Sequence, residues 1–363
     1  GRALPASFRA PRSVTGEVLV RLKERRIDLR TSRGLEQVRA FASAKRLDLR
    51  ATMRDAGIAM LRTRGNESVA AAVARLKRDP DVLYAQPNYR YTPHTNDTRF
   101  ADLWALENTG QTVNGVASTT PDHDVDAPEA WVKSEGSGAL VAIIDSGVAF
   151  NHPDLLANMW DGSNCVDENG GAIADGCQHG YDFEENDANP LSTSSSHGTH
   201  IAGTIAAVGN NSRGTIGVAP KATIMALKTA LTTSEIVRAV QFAKRNGATI
   251  INASFGGAGE ALLGKDALGQ FDGLIVTSAG NAGADHGGTP SYPCDFDLAN
   301  IVCVAATDQG DALAGFSDYG ATSVDVGAPG VNILSTMPAT ATPFYEDFES
   351  VTEPDLPATF TAG

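Results

Sequence analysis

The sequence predicts an α/β protein, a parallel sheet with helices on both faces, preceded by a small α+β domain. From about residue 104 onward, continuous apolar runs of β type alternate with helical segments, the pattern of buried parallel strands. The first 90 residues read differently, as alternating strands separated by two helical patterns. Charge divides at the same place. Residues 1–91 hold 20 Lys and Arg against 9 Asp and Glu, net +11; the remainder holds 9 against 34, net −25.

In the front part, 16–23 (GEVLVRLK) alternates as a half-buried strand does, and 34–46 carries Leu35, Val38, Phe41 and Ala42 at helical spacing. A strand at 57–63 leads into an Ala-rich helix at 68–78, which Asp79-Pro80-Asp81 stops before a strand at 82–86. One more strand is expected near 47–54, and 87–96, polar and proline-bearing, reads as a linker. The later runs are 139–144, 198–208, 222–228, 234–245, 248–254, 273–279 and 300–306. The expected domains are a tail at 1–14, a small domain at 15–90, a larger one at 91–343 and a separate segment at 344–363.

At 363 residues, 42% hydrophobic and 20% charged, the chain suits two or three globular domains. No apolar run approaches the ~20 residues that span a bilayer. An acidic body repels nucleic acid and anionic membrane, so neither is an expected partner. The basic front and acidic body suit two docking domains, or else two independently solvated surfaces. The chain opens on Gly1 with no apolar signal stretch, so a signal has been removed or the sequence starts inside a longer gene. The four cysteines lack Cys-x-x-Cys spacing, and disulfides Cys165–Cys177 and Cys294–Cys303 fit better than a metal site. Free buried thiols are the alternative, strongest for Cys303 in an apolar run.

In such sheets sites lie beyond the carboxyl ends of the strands. After 139–144 comes Asp145-Ser146-Gly147, a costly place for a carboxylate unless it is paired, though a turn cap is the plain reading. Next, Ser196-His197-Gly198-Thr199-His200 opens a helix with His197 at its start, facing a cleft, and His200 one turn on, reading as a buried core histidine. After 273–279, Asn281 in Ala279-Gly280-Asn281 can aim an amide N–H at an oxyanion, or simply form a turn. Ser254-Phe255-Gly256-Gly257 can pair with an extended peptide.

In this order and at these strand ends, the motifs resemble the subtilisin-like serine protease (subtilase) family, with loops of the thermitase-like branch, over roughly residues 104–338. The resemblance implies a secreted, calcium-dependent, monomeric endopeptidase acting on proteins and peptides. His197 would be the general base, Asp145 its orienting partner and Asn281 the oxyanion donor. Ser254, Phe255, Gly256, Ala279 and Gly280 would line a broad, apolar substrate cleft. Calcium would be held by Asp97, Asp154, the Asn211 side chain and the carbonyls of Val208, Arg213 and Thr215. Asp182, Glu185, Asp187 and Asn189 form a weaker second candidate site, or a solvated acidic loop. The front domain resembles the ferredoxin-like inhibitory propeptides of these proteases, acting in cis and cleaved before Tyr91.

The family's nucleophile lies in a Gly-Thr-Ser motif, and no Gly-Thr-Ser occurs in these residues. The expectation is a precursor cut short at both ends, with an inserted domain beginning after Phe344. As it stands the chain is expected to cut nothing. Two other readings are a peptide-binding pseudoprotease and a metal-dependent hydrolase built on His197, His200 and Asp145.

Overall fold

The computed structural model describes residues 13–89 and 95–338. The expected cleavage point before Tyr91 and the segment 344–363 lie outside the described residues. Ser13, within the expected tail at 1–14, pairs with Tyr89 in a sheet.

Two compact units result, dividing at Thr92. In the first, β1 (Ser13–Leu22) turns Val18, Val20 and Leu22 inward on alternate positions. Helix α1 (Ser32–Ala44) starts where the Thr31 side chain accepts from Gly34 N, and it buries Val38, Phe41 and Ala42 along one stripe. Then come β2 (Leu47–Met53), β3 (Ile58–Thr63), α2 (Val69–Leu76, capped by Ser68) and β4 (Val82–Tyr89). The sheet is antiparallel in the order β2-β3-β1-β4. This is the split β-α-β arrangement of ferredoxin-like domains.

The second unit begins with a short hairpin, β5 (Thr112–Val113) and β6 (Val116–Ala117), and helix α3 (Ala127–Trp131). Its sheet comprises β7 (Leu140–Asp145), β8 (Gly180–Asp182), β9 (Thr223–Lys228), β10 (Ile250–Ala253), β11 (Leu274–Ser278), β12 (Ile301–Thr307) and β13 (Val326–Pro329). All pairs are parallel, in the order β13-β12-β11-β10-β7-β9-β8. Three helices cover it: α4 (His197–Ala206), α5 (Thr233–Arg245) and α6 (Leu262–Gly269).

The period of two along β7 explains its unbroken apolar run. Val141 and Ile143 pack with Ile201, Ala202 and Ala206 of α4, while Ala142 and Ile144 pack with Phe242 of α5 and Leu268 of α6 on the other face. No helix among the described residues is long and apolar enough to cross a membrane. Both expected disulfides are formed, Cys165–Cys177 and Cys294–Cys303. That removes the free-thiol reading, even for fully buried Cys303.

Candidate active site

Strand β7 ends on Asp145 itself, one residue later than the apolar run suggested, at 2% exposure. Its Oδ1 accepts from Ser146 N at 2.7 Å and Ser146 Oγ at 3.0 Å. His197 Nδ1 lies 2.9 Å from both carboxylate oxygens. His197 is the first residue of α4, and glycine next to it allows this contact. A Cβ on Gly198 would fall 2.3 Å from Gly147 O and 3.2 Å from Asp145 Oδ1. A ring nitrogen facing a carboxylate carries the proton, so Nε2 of neutral His197 is left as the acceptor.

His200 points the other way. It is 1% exposed and its Nε2 donates to Ile333 O at 3.1 Å. Burial pulls its pKa down to about 4, so the ring is neutral. Among the described residues the ligand atoms of His197, His200 and Asp145 do not converge within metal-binding distance of one another, which speaks against the metal reading. Ser335 is likewise core, its hydroxyl donating to His200 O at 2.6 Å.

Asn281 sits on an exposed turn just past β11. The turn is tied to a distant residue: Asp318 Oδ1 accepts from Ala282 N at 2.8 Å and Ala284 N at 2.7 Å. Ala279 is 1% exposed, its N–H donating to Val304 O and its carbonyl accepting from His286 Nε2 at 3.0 Å. The Gly280 carbonyl accepts from Asp318 N at 2.9 Å. The Ala279 backbone is thus engaged on both its N–H and its carbonyl within the protein.

Ser254, Phe255 and Gly256 continue from β10, with Asn252 Nδ2 donating to Ser254 Oγ at 2.9 Å. Gly257 exchanges two backbone hydrogen bonds with Tyr292, at 3.0 and 2.9 Å. Beside them is a cavity of about 130 Å³, lined by Phe255, Gly256, Ile236, Leu268, Tyr292 and Phe296 among others. Its walls are largely apolar, as side-chain pockets are.

Asp97 and Asp154 of the first cation set both meet the 208–215 loop. Asp97, 5% exposed, accepts from Asn210 N at 2.8 Å, Asn211 N at 3.1 Å and the Thr95 hydroxyl. Asp154, 2% exposed, accepts from Asn211 Nδ2 at 2.6 Å and Thr215 N at 2.9 Å, and its carbonyl accepts from Val208 N at 2.8 Å. Arg213 joins only through its backbone, its N–H donating to Asn211 Oδ1 at 2.8 Å. Among the described residues neither carboxylate meets a Lys or Arg, and Thr215 Oγ1 is buried without a hydrogen-bond partner. Two buried, unneutralised carboxylates with a spare hydroxyl and carbonyls suit a hard cation.

The second set differs in having a cation of its own beside it. Asp182 Oδ2 accepts from Lys228 Nζ at 2.8 Å, and its Oδ1 accepts from Glu184 N at 2.9 Å and Glu185 N at 3.0 Å. Burial pulls the Lys228 ammonium down, but Asp182, Glu184 and Glu185 carry it above its ordinary value. Asp187 Oδ1 is taken by Asn189 N at 2.8 Å. An ammonium already supplies the positive charge there.

Residues 136–352, more than half of the chain, match the subtilase family. The chain belongs to that family. Residues 10–88 of this subtilase match the fervidolysin N-terminal prodomain. Thermitase of Thermoactinomyces vulgaris is 38% identical over 226 residues, 59% of this chain and 71% of thermitase. The thermophilic serine proteinase of Bacillus sp. (strain AK1) is 34% identical over 337 residues, 89% of this chain and 72% of that protein. A solved protease of Pseudoalteromonas arctica superposes with TM-score 0.51 at 28% identity, covering 70% of this chain and 82% of that one. This subtilase is accordingly a serine protease precursor with an amino-terminal prodomain.

Sequence reasoning missed Asp318 and His286 in this subtilase. Asp318 reads as a turn former in Phe316-Ser317-Asp318-Tyr319-Gly320, and no sequence signal links it to Ala282, 36 residues away. It also missed α6, whose eight residues include two glycines, and with it one wall of the apolar cavity.

Proposed function

We propose that this subtilase is the zymogen of a secreted, calcium-stabilised serine endopeptidase in which Asp145 and His197 activate a serine and Asn281 stabilises the oxyanion. The observation that carries this reading is the His197 Nδ1 contact to Asp145, 2.9 Å to each oxygen, at the end of the interior strand β7. The nucleophile would come from a Gly-Thr-Ser motif, which these residues do not include.

In this mechanism Nε2 of His197 takes the serine hydroxyl proton as Oγ adds to the scissile carbonyl carbon. Asp145 holds the ring in the tautomer that leaves Nε2 free to accept, and its buried charge stabilises the imidazolium. The carbonyl oxygen becomes an oxyanion, to which the Asn281 amide donates. The imidazolium returns its proton to the departing amine, leaving an acyl-serine. Water, deprotonated by the same nitrogen, then releases the acid. A peptide would lie extended along 254–256, with an apolar side chain in the neighbouring cavity.

Asp97 and Asp154, with the Asn211 side chain and carbonyls of the 208–215 loop, would hold the calcium ion; bound there, it neutralises two buried carboxylates. The 15–90 domain would act in cis as folding aid and inhibitor, which its prodomain match and its opposite net charge support. Two disulfides support an oxidising compartment outside the cytoplasm.

The test is a serine-directed fluorophosphonate probe on the complete gene product. Covalent labelling is expected, falling to background in His197→Ala. A folded protein that takes no label would instead be the peptide-binding pseudoprotease.

A further inference from the structure

We propose that Asp318 is a positioning residue for oxyanion stabilisation, its buried carboxylate holding the turn at residues 280–284 so that the Asn281 side chain is fixed before charge develops. This rests on the reading of Asn281 as oxyanion donor. Asp318, 5% exposed, grips the turn on both sides of Asn281. Its N–H donates to Gly280 O at 2.9 Å, and its Oδ1 accepts from Ala282 N at 2.8 Å and Ala284 N at 2.7 Å. Hydrogen bonds to an ionised acceptor are the stronger kind.

Gly280 is shaped to the carboxylate. Its φ of +123° suits glycine, and a Cβ there would lie 2.2 Å from Asp318 Oδ2. The clamp is itself anchored. Ser317 Oγ accepts from Ala306 N of β12 at 2.9 Å and donates to Asp318 O at 3.0 Å. Beside the Asp318 carboxylate, His286 Nε2 lies 4.0 Å from Oδ2 and donates to Ala279 O at 3.0 Å, while its Nδ1 lies 2.9 Å from Asp295 Oδ2. The Cys294–Cys303 disulfide fixes the chain beside Asp295 to β12. Asn281 thus projects from a turn tied through Asp318 and His286 to neighbours that are themselves anchored to β12. A donor aimed in advance avoids reorganisation when the oxyanion forms.

The test is a double-mutant cycle in the complete gene product, read as kcat and KM on a peptide substrate. Asn281→Ala is expected to lower kcat by about 10²–10³-fold, as loss of one oxyanion donor does. Asp318→Ala should lose a large part of the same factor in kcat with KM little changed, and Asp318→Asn, which keeps the Oδ1 acceptor, should recover most of it. In the Asn281→Ala background Asp318→Ala should cost almost nothing more. Additive losses, or an Asp318→Ala protein as fast as wild type beside a slow Asn281→Ala, overturn the proposal alone. An unaffected Asn281→Ala overturns the oxyanion reading and the proposal with it. Hydrogen exchange on the wild-type protein gives a variant-free check, since free exchange of the Ala282 and Ala284 amides also overturns the clamp.

Discussion

Two histidines one helical turn apart divide the work of α4 by environment. His197 meets a carboxylate at the cleft, and His200 is sealed in the core with a pKa near 4. The sign of its effect on stability follows from linkage. In the unfolded chain this imidazole takes up a proton near its ordinary value of 6.5, whereas in the folded protein it does so only near 4. Between those values the unfolded state binds more protons. The stability contributed is therefore complete above pH 6.5 and is lost as pH falls toward 4, by roughly 3 kcal/mol in all. Urea unfolding at pH 7.5 and 4.5 should show most of that difference in wild type. His200→Gln keeps a donor for Ile333 O but no titration, so it should flatten this part of the slope. Equal slopes in the two proteins would assign the acid sensitivity elsewhere.

At the scale of elements, the legible parts were those whose local pattern and tertiary fate agree. Strands β7 and β9 read correctly because both faces are buried, and α5 because Thr232 and Glu235 form a capping box ahead of an apolar stripe. The three-residue β8 and the Gly- and Pro-bearing edge strand β13 carried no such pattern. Of the site, Asp145 and His197 were legible because each stands at a strand end or helix start. Asp318 was not, since its partner Ala282 is 36 residues away and no period links them. Glycines show how packing overrules propensity. In Gly198→Ala, helix propensity would favour alanine by about 1 kcal/mol, but the new Cβ falls 2.3 Å from a backbone oxygen. The clash should win, destabilising by about 1–3 kcal/mol and displacing His197 from Asp145. Gly264→Ala in α6 meets only ordinary contacts, at 3.7 and 4.0 Å, and should stabilise by about 0.5–1 kcal/mol. Thermal denaturation of the pair checks both signs.

For the whole molecule, the decisive quantity is uncompensated charge. Residues 92–363 carry a net −25, and within them Asp97 and Asp154 are 5% and 2% exposed with no cationic side chain beside either among the described residues. Backbone N–H groups and one amide satisfy their lone pairs without cancelling their mutual repulsion. A bound divalent cation would cancel it, and because it binds only the folded loop its affinity becomes stability. At a hundredfold excess over its Kd the gain is about 2.7 kcal/mol, or roughly 5–10 °C in Tm for a domain of this size. Melting curves in excess calcium and in EDTA should differ by that interval, with magnesium giving much less because it prefers a tight octahedral shell. Asp154→Asn removes one of the two charges and should shrink the interval to a small remainder. The acidic loop around Asp182 predicts the opposite behaviour. Its one deeply buried carboxylate, Asp182, is already paired with Lys228, so Asp187→Asn should leave the calcium increment intact. If the Asp154→Asn protein gained as much from calcium as wild type, the ion would sit elsewhere, and the pairing of Asp97 with Asp154 would need another source of balance.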